Sequence, residues 1–212
     1  MRPRGLSRPS NSPCRRPRPE LAVAGLLLSA CATATLPPPG VATRAAAAAS
    51  WSGSVRVSVR GQDVRGRSRV LMAFRRPDAV RIEIPGPSGA RLVAVAREGR
   101  LTAVLPAERA FLESPATAED LEALLGVALS PPELMDVLLG VAPAGLRDYK
   151  AQWGHTLPRR GEALLADGTR LEATVDDAEA GLDLAEAVFL PPPHPGYRRV
   201  DADEARRLLG GR

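Results

Sequence analysis

Cysteine is nearly missing from this chain: of 212 residues only Cys14 and Cys31 are cysteines, and both lie near the start. Everything after them must therefore fold without disulfides and without a cysteine metal site. Histidine is equally scarce. His155 sits beside Gly154 and His194 inside a proline cluster, and neither has metal-ligand spacing around it, so both read as loop residues. Gly86-Pro87-Ser88-Gly89 lacks the fifth residue of a nucleophile elbow, and Asp176-Asp177 has no calcium-loop spacing. Phosphate-binding and dinucleotide fingerprints are absent too. These gaps exclude the common catalytic constellations, so the expectation is a protein that is not an enzyme, with no metal and no cofactor.

Long apolar runs are also lacking. The most apolar stretch, residues 21–28 (Leu-Ala-Val-Ala-Gly-Leu-Leu-Leu), would rise only about 15 Å as a helix, against roughly 30 Å of bilayer hydrocarbon. Six arginines precede it, at positions 2, 4, 8, 15, 16 and 18, and the small residues Ser29-Ala30 follow. A basic stretch, a short apolar stretch and small residues before a cut site make an export signal. Leu28-Ser29-Ala30-Cys31 resembles the lipobox of bacterial lipoproteins, which implies cleavage before Cys31 and lipidation of its thiol. The alternatives are an ordinary signal peptide with an incidental cysteine or, from Arg15-Arg16, twin-arginine export. Ala32 resembles the residue found in lipoproteins sorted onward to the outer membrane, with the domain facing the periplasm.

The leader also explains the charge. The chain carries +5, but the six leader arginines less Glu20 account for all of it, so residues 31–212 are neutral. Nucleic acid is therefore not an expected partner. The remaining charge is unevenly spread. Residues 56–100 hold eleven arginines and four acids, whereas residues 108–186 hold sixteen acids and six bases. Either these are solvated faces, or the arginine-rich strands meet anionic headgroups or an acidic partner.

Residues 31–50 read as the lipidated cysteine and a flexible tether, although the run from Ala45 to Ala49 could begin a short helix. From Trp51 to the end, one domain is expected. Val55, Val57 and Val59 alternate with polar residues, as do Val70, Met72 and Phe74, and then Val80, Ile82 and Ile84. Each triplet is one face of a half-buried strand. Residues 92–96, 101–105, 162–166, 169–175 and 182–190 continue the series, with turns at Gly61-Gln62, residues 76–78, 85–89, Glu98-Gly99 and Asp167-Gly168, the last as a type I′ hairpin. Pro191-Pro192-Pro193 then closes the sheet.

Two helices interrupt the strands. Thr117 caps one carrying Leu121, Leu124 and Leu125 and stopped by Gly126; Ser130-Pro131-Pro132-Glu133 is a capping box opening one with Leu134, Val137 and Leu138. A third, capped by Asp201, ends the chain. Eight to eleven strands and three helices make an α+β antiparallel domain, with the leucine stripes covering the sheet.

Residues 124–143, running on to Asp148-Tyr149-Lys150, resemble the helical segment of the LolB and LolA-like outer-membrane lipoprotein family. Residues 80–92, Val-Arg-Ile-Glu-Ile-Pro-Gly-Pro-Ser-Gly-Ala-Arg-Leu, resemble the strand, turn and strand ahead of it, and Trp51-Ser52-Gly53 the first strand's opening. The likeness spans residues 51–150. It implies a curved antiparallel half-barrel with two short helices across its open side and a hydrophobic cavity for acyl chains. Val57, Val59, Val70, Met72, Phe74, Val80, Ile82 and Ile84 would line it, closed by Leu121, Leu124, Leu134, Val137 and Leu138. The family's exposed leucine at a hairpin tip is replaced here by Gly86 and Pro87. The expected function is a membrane-anchored lipoprotein that binds acyl chains or lipoproteins and meets a periplasmic carrier. The alternative is an accessory lipoprotein docking to an envelope complex.

Overall fold

The computed structural model describes residues 36–62 and 65–210. The signal, Cys31 and the first part of the tether lie outside them. The segment before the first strand holds a short helix, α1 (Val41–Ala46), with Val41 and Ala45 buried; it starts before the alanine run and ends within it, so the run does not begin a helix.

Ten strands follow in one sheet: β1 (Ser50–Arg60), β2 (Arg65–Arg75), β3 (Ala79–Gly86), β4 (Gly89–Arg97), β5 (Arg100–Leu105), β6 (Ala110–Pro115), β7 (Asp148–Trp153), β8 (Pro158–Leu164), β9 (Arg170–Ala180) and β10 (Arg198–Arg199). Their order across the sheet is β10-β6-β5-β4-β3-β2-β1-β9-β8-β7, which leaves the sheet open at β10 and β7. Each run of neighbours in sequence pairs antiparallel, and the only long-range joins are β1 with β9 and β10 with β6. The β10–β6 pair is parallel, so the chain continues past the three prolines and adds a two-residue edge strand.

Turn chemistry fixes much of this register. Glu98 (φ 51) and Gly99 (φ 72) form a type I′ turn that closes Arg97 on Arg100. The β8–β9 turn is different from the expected one. Gly168 alone has positive φ there, the Gly168 amide donates to the Leu165 carbonyl, and Asp167 accepts from the Thr169 amide at 2.8 Å. That is a type I turn with glycine in the bulge position, favoured because the Asp167 carboxylate caps the turn locally.

Three helices pack on one face of the sheet: α2 (Ala118–Leu125), α3 (Pro131–Leu138) and α4 (Ala202–Leu208). Thr117 Oγ1 accepts the Asp120 amide, the Glu133 carboxylate accepts the Ser130 amide at 2.8 Å, and Asp201 accepts the Glu204 amide at 2.7 Å. Each cap satisfies an amide the helix itself leaves unpaired. Gly126 (φ 74) and Gly140 (φ 80) end the first two helices in the left-handed conformation. One continuous core joins the inner faces of strands from β6 to β9 with these helices.

The expected strand over residues 182–190 is not one. It runs as an extended segment into a 3₁₀ turn at Glu186–Phe189, and Phe189 is buried against Ala73 and Ala79 on the sheet's outer face. The cause is topological. β9 lies between β1 and β8, so the chain leaves it in mid-sheet, where both neighbouring edges are already paired. It folds over the outer face instead, held by Ser50 Oγ donating to the Leu182 carbonyl at 2.6 Å.

Part of the charge imbalance is matched within the fold. Arg56 pairs with Asp176 (2.7 Å), Arg75 with Glu186 (2.6 Å) and Arg76 with Asp136 (2.8 Å), so arginines of the first half meet acids of the second. The Arg75 guanidinium, donating to Glu186, holds that carboxyl below its ordinary range. Pairs so near the surface are screened by solvent and add little to stability.

Candidate functional site

Strand parity builds the site. Val55, Val57 and Val59 share the inner face of β1; register with β2 sets Val70, Ser68 and Gly66 opposite them, and register with β9 sets Val175, Ala173 and Leu171 opposite them on the other side. The residues in the last two rows of β2 and β9 are mostly small. They leave a cavity of about 400 Å³ between the sheet and the helices, partly open to solvent. That lies within the usual size range of small-ligand sites, roughly 300–1,000 Å³.

Of the thirteen residues expected to line such a cavity, eleven do. Val57, Val59, Val70, Met72, Ile82 and Ile84 form its floor, and Leu121 and Leu124 of α2 with Leu134, Val137 and Leu138 of α3 form its roof. Phe74 and Val80 do not belong. They are directly opposite each other in register, and Phe74 in turn faces Trp51, with the two rings stacked at 5.8 Å. Parity was right for both, but they lie at the far end of the same face, where the aromatic pair fills the space and all three are buried.

Six lining residues with apolar side chains were not among those named, Val55, Leu125, Val127, Leu171, Ala173 and Leu209, nor were Ser68, Gly66, Gly210 and the four arginines at the border. Val55 and Leu125 shared the alternation or stripe of residues that were named and could have been added. Leu171 and Ala173 could not, because their position depends on β9 pairing with β1 across more than a hundred residues. Leu209 follows α4, whose apolar stripe was readable but whose docking place was not.

Among the described residues the lining contains no acid and no aromatic ring. Its polar side chains are Ser68 and four arginines, Arg65, Arg67, Arg91 and Arg206. Behind the roof, the Tyr149 hydroxyl donates to the Val137 carbonyl at 2.7 Å, tying α3 to β7. Burial pushes the phenol pKa upward, so the hydroxyl stays protonated and remains a donor. Nothing in this lining can exchange a proton near neutral pH. What the site can do is remove an aliphatic chain from water, at about 0.8 kcal/mol per methylene.

A second hollow of about 570 Å³ lies on the outer face, bordered by Ser52, Ser54, Arg69, Arg81, Glu83, Asp177 and Glu179. It is larger but more open, and its border mixes these polar groups with Leu71, Met72, Ala73, Leu182 and Val188, so an apolar chain would stay partly in water there. His155 is exposed, and His194 packs against Phe111 at 4.5 Å between ring centroids; neither borders the inner cavity. Among the described residues no cluster of three or more His, Cys, Asp or Glu could hold a metal ion, and no helix is long and apolar enough to cross a membrane.

No protein-family model matches the sequence, and no curated protein matches it. Solved structures with a related arrangement include a LolA superfamily protein from Nitrosomonas europaea, 9% identical, with a TM-score of 0.44 over 74% of this chain and 99% of that one. An uncharacterized conserved protein from Thermus thermophilus is 14% identical, with a TM-score of 0.44 over 75% of this chain and 96% of that one. A DUF1329 family protein from Desulfovibrio piger is 11% identical, with a TM-score of 0.39 over 71% of this chain and 94% of that one.

Proposed function

We propose that this protein binds acyl chains in the cavity between its sheet and helices, as a lipid-anchored protein handling lipids or lipoproteins at the outer membrane. The observation that carries the reading is the cavity's composition: an interior mainly of valine, leucine, isoleucine and methionine, with arginines at its border and, among the described residues, neither acid nor aromatic ring. Flexible chains suit such a lining, whereas planar cofactors gain from stacking that is not offered here. The anchor follows from the sequence at Cys31, where several acyl chains would hold the protein stably at a membrane surface. The cavity would then face lipids or lipoproteins arriving by carrier.

Native mass spectrometry tests both parts together. Protein expressed with its leader is expected to carry the added mass of lipid on Cys31 and, in addition, a lipid or lipopeptide lost on collisional activation. A covalently modified chain with no releasable lipid, and no thermal shift with added acyl ligands, would sink the cavity reading while leaving the anchor standing.

A further inference from the structure

The acyl-chain reading leaves open what the chain is attached to, and the mouth of the cavity speaks to that. β2 pairs with β3 only from Leu71 opposite Glu83 to Arg75 opposite Ala79. Beyond that point the strands part. β2 continues back to Arg65, paired with β1 alone, while β3 continues to Gly86, paired with β4 alone. Continued register would set Val70, Arg69 and Ser68 opposite Ile84, Pro85 and Gly86, so the sheet is split there over about 10 Å of strand, and residues 65–67 run on past the end of β3.

The cavity opens through this split. A strand seen from its face presents alternate residues, but four consecutive ones, Arg65, Gly66, Arg67 and Ser68, border the cavity, as a strand edge allows; Arg67 also borders a hollow on the outer face together with Glu172. Ile84 and Arg91 stand on the opposite bank, with Arg206 and Leu209 at the end of α4 above. Among the described residues, every charged residue on this border is an arginine. Arg91 Nη2 is already committed to the Leu209 carbonyl, at 2.6 Å. Arg65, Arg67 and Arg206 have no acidic partner among the described residues, in contrast to Arg56, Arg75, Arg76, Arg81 and Arg97 on neighbouring strands.

Resting on the acyl-chain reading, we propose that the ligand is an anionic lipid whose phosphate or carboxylate headgroup sits in the split between β2 and β3, held by Arg65, Arg67 and Arg206. An amphiphile with its chain against Val57, Val59 and Leu171 must leave its head at the mouth, since a charged head cannot follow into an aliphatic interior. Guanidinium groups bind both oxyanions through paired N–H donors, and three on one border otherwise repel.

Calorimetry on the full-length chain, with oleoyl lysophosphatidic acid and monooleoylglycerol below their micellar concentrations, separates head from chain. The phosphate lipid is expected to bind about tenfold more tightly or better. An R65Q/R67Q/R206Q variant, shown to be folded by circular dichroism, should bring the two lipids within about twofold of each other. Equal affinities in the wild-type chain, or a preference that survives in the triple variant, overturn the headgroup proposal and leave chain binding intact. If neither lipid binds, the acyl-chain reading itself fails. Inorganic phosphate binding as tightly as the phosphate lipid would mark a free-anion site. A phosphate preference that persists when Gly66→Leu fills the cavity would mark surface attraction to headgroups. Either result overturns a cavity ligand.

Discussion

The two ends of the sheet's inner face share strand parity and much the same hydrophobicity, yet one is solid and the other, where β2 has left β3, is hollow. At the solid end Trp51, Phe74 and Val80 stand in one row, directly opposite each other, and the aromatic rings stack. At the hollow end the corresponding row is Leu171, Val59 and Gly66. Two glycines make the contrast plain. A Cβ on Gly53 would collide with the backbone oxygen of Asp177, where β9 bulges over β1, whereas a Cβ on Gly66 would meet nothing within 4 Å. Hydrophobic patterning aims side chains at a common space; their volumes, and the spread of the strands, decide whether that space is filled.

The largest effect is expected where the comparison is most one-sided. Trp51→Ala removes the biggest side chain of the solid end, fully buried and stacked on Phe74, and should cost about 3–5 kcal/mol in chemical denaturation. A loss below about 1 kcal/mol would show that this end is also loosely packed.

Ile82→Trp probes the boundary. Ile82 borders the cavity but is packed into the main core, opposite Met72 on one side and Ala94 on the other. The indole has the cavity to enter but must displace that packing, so an intermediate cost of about 1–3 kcal/mol is expected, together with loss of acyl-ligand binding by calorimetry. Failure to fold at all would place Ile82 wholly in the solid end and shrink the cavity accordingly.

The smallest effect on stability belongs to the hollow end. Gly66→Leu adds a side chain where there is room and replaces a residue poorly suited to a strand, so its stability should shift by no more than about 0.5 kcal/mol in either direction. Ligand binding should nevertheless be lost. A variant that is destabilised like a core overpacking mutant would erase the distinction between the two ends.

Much of this was readable in the sequence because it is local. Alternation assigned Val57, Val59, Ile82 and Ile84 to one face, the capping signals placed α2, α3 and α4, and the scarcity of histidine and cysteine bounded the chemistry. Alternation also swept Phe74 and Val80 into the cavity, because a two-residue period carries no information about position along the strand. It made a strand of residues 182–190, because an apolar pattern does not reveal whether an edge is free to pair.

The sequence by itself determined which side of each strand faces inward and where the helices begin and end, since backbone period and cap hydrogen bonds act over a few residues. Only the tertiary structure decided that β9 completes the floor beside β1, that β2 and β3 part beyond Leu71, and that arginines lacking acidic partners among the described residues stand at the opening. These depend on pairing between distant segments and on how the volumes of their side chains add up where they meet, and a void is the remainder of that sum.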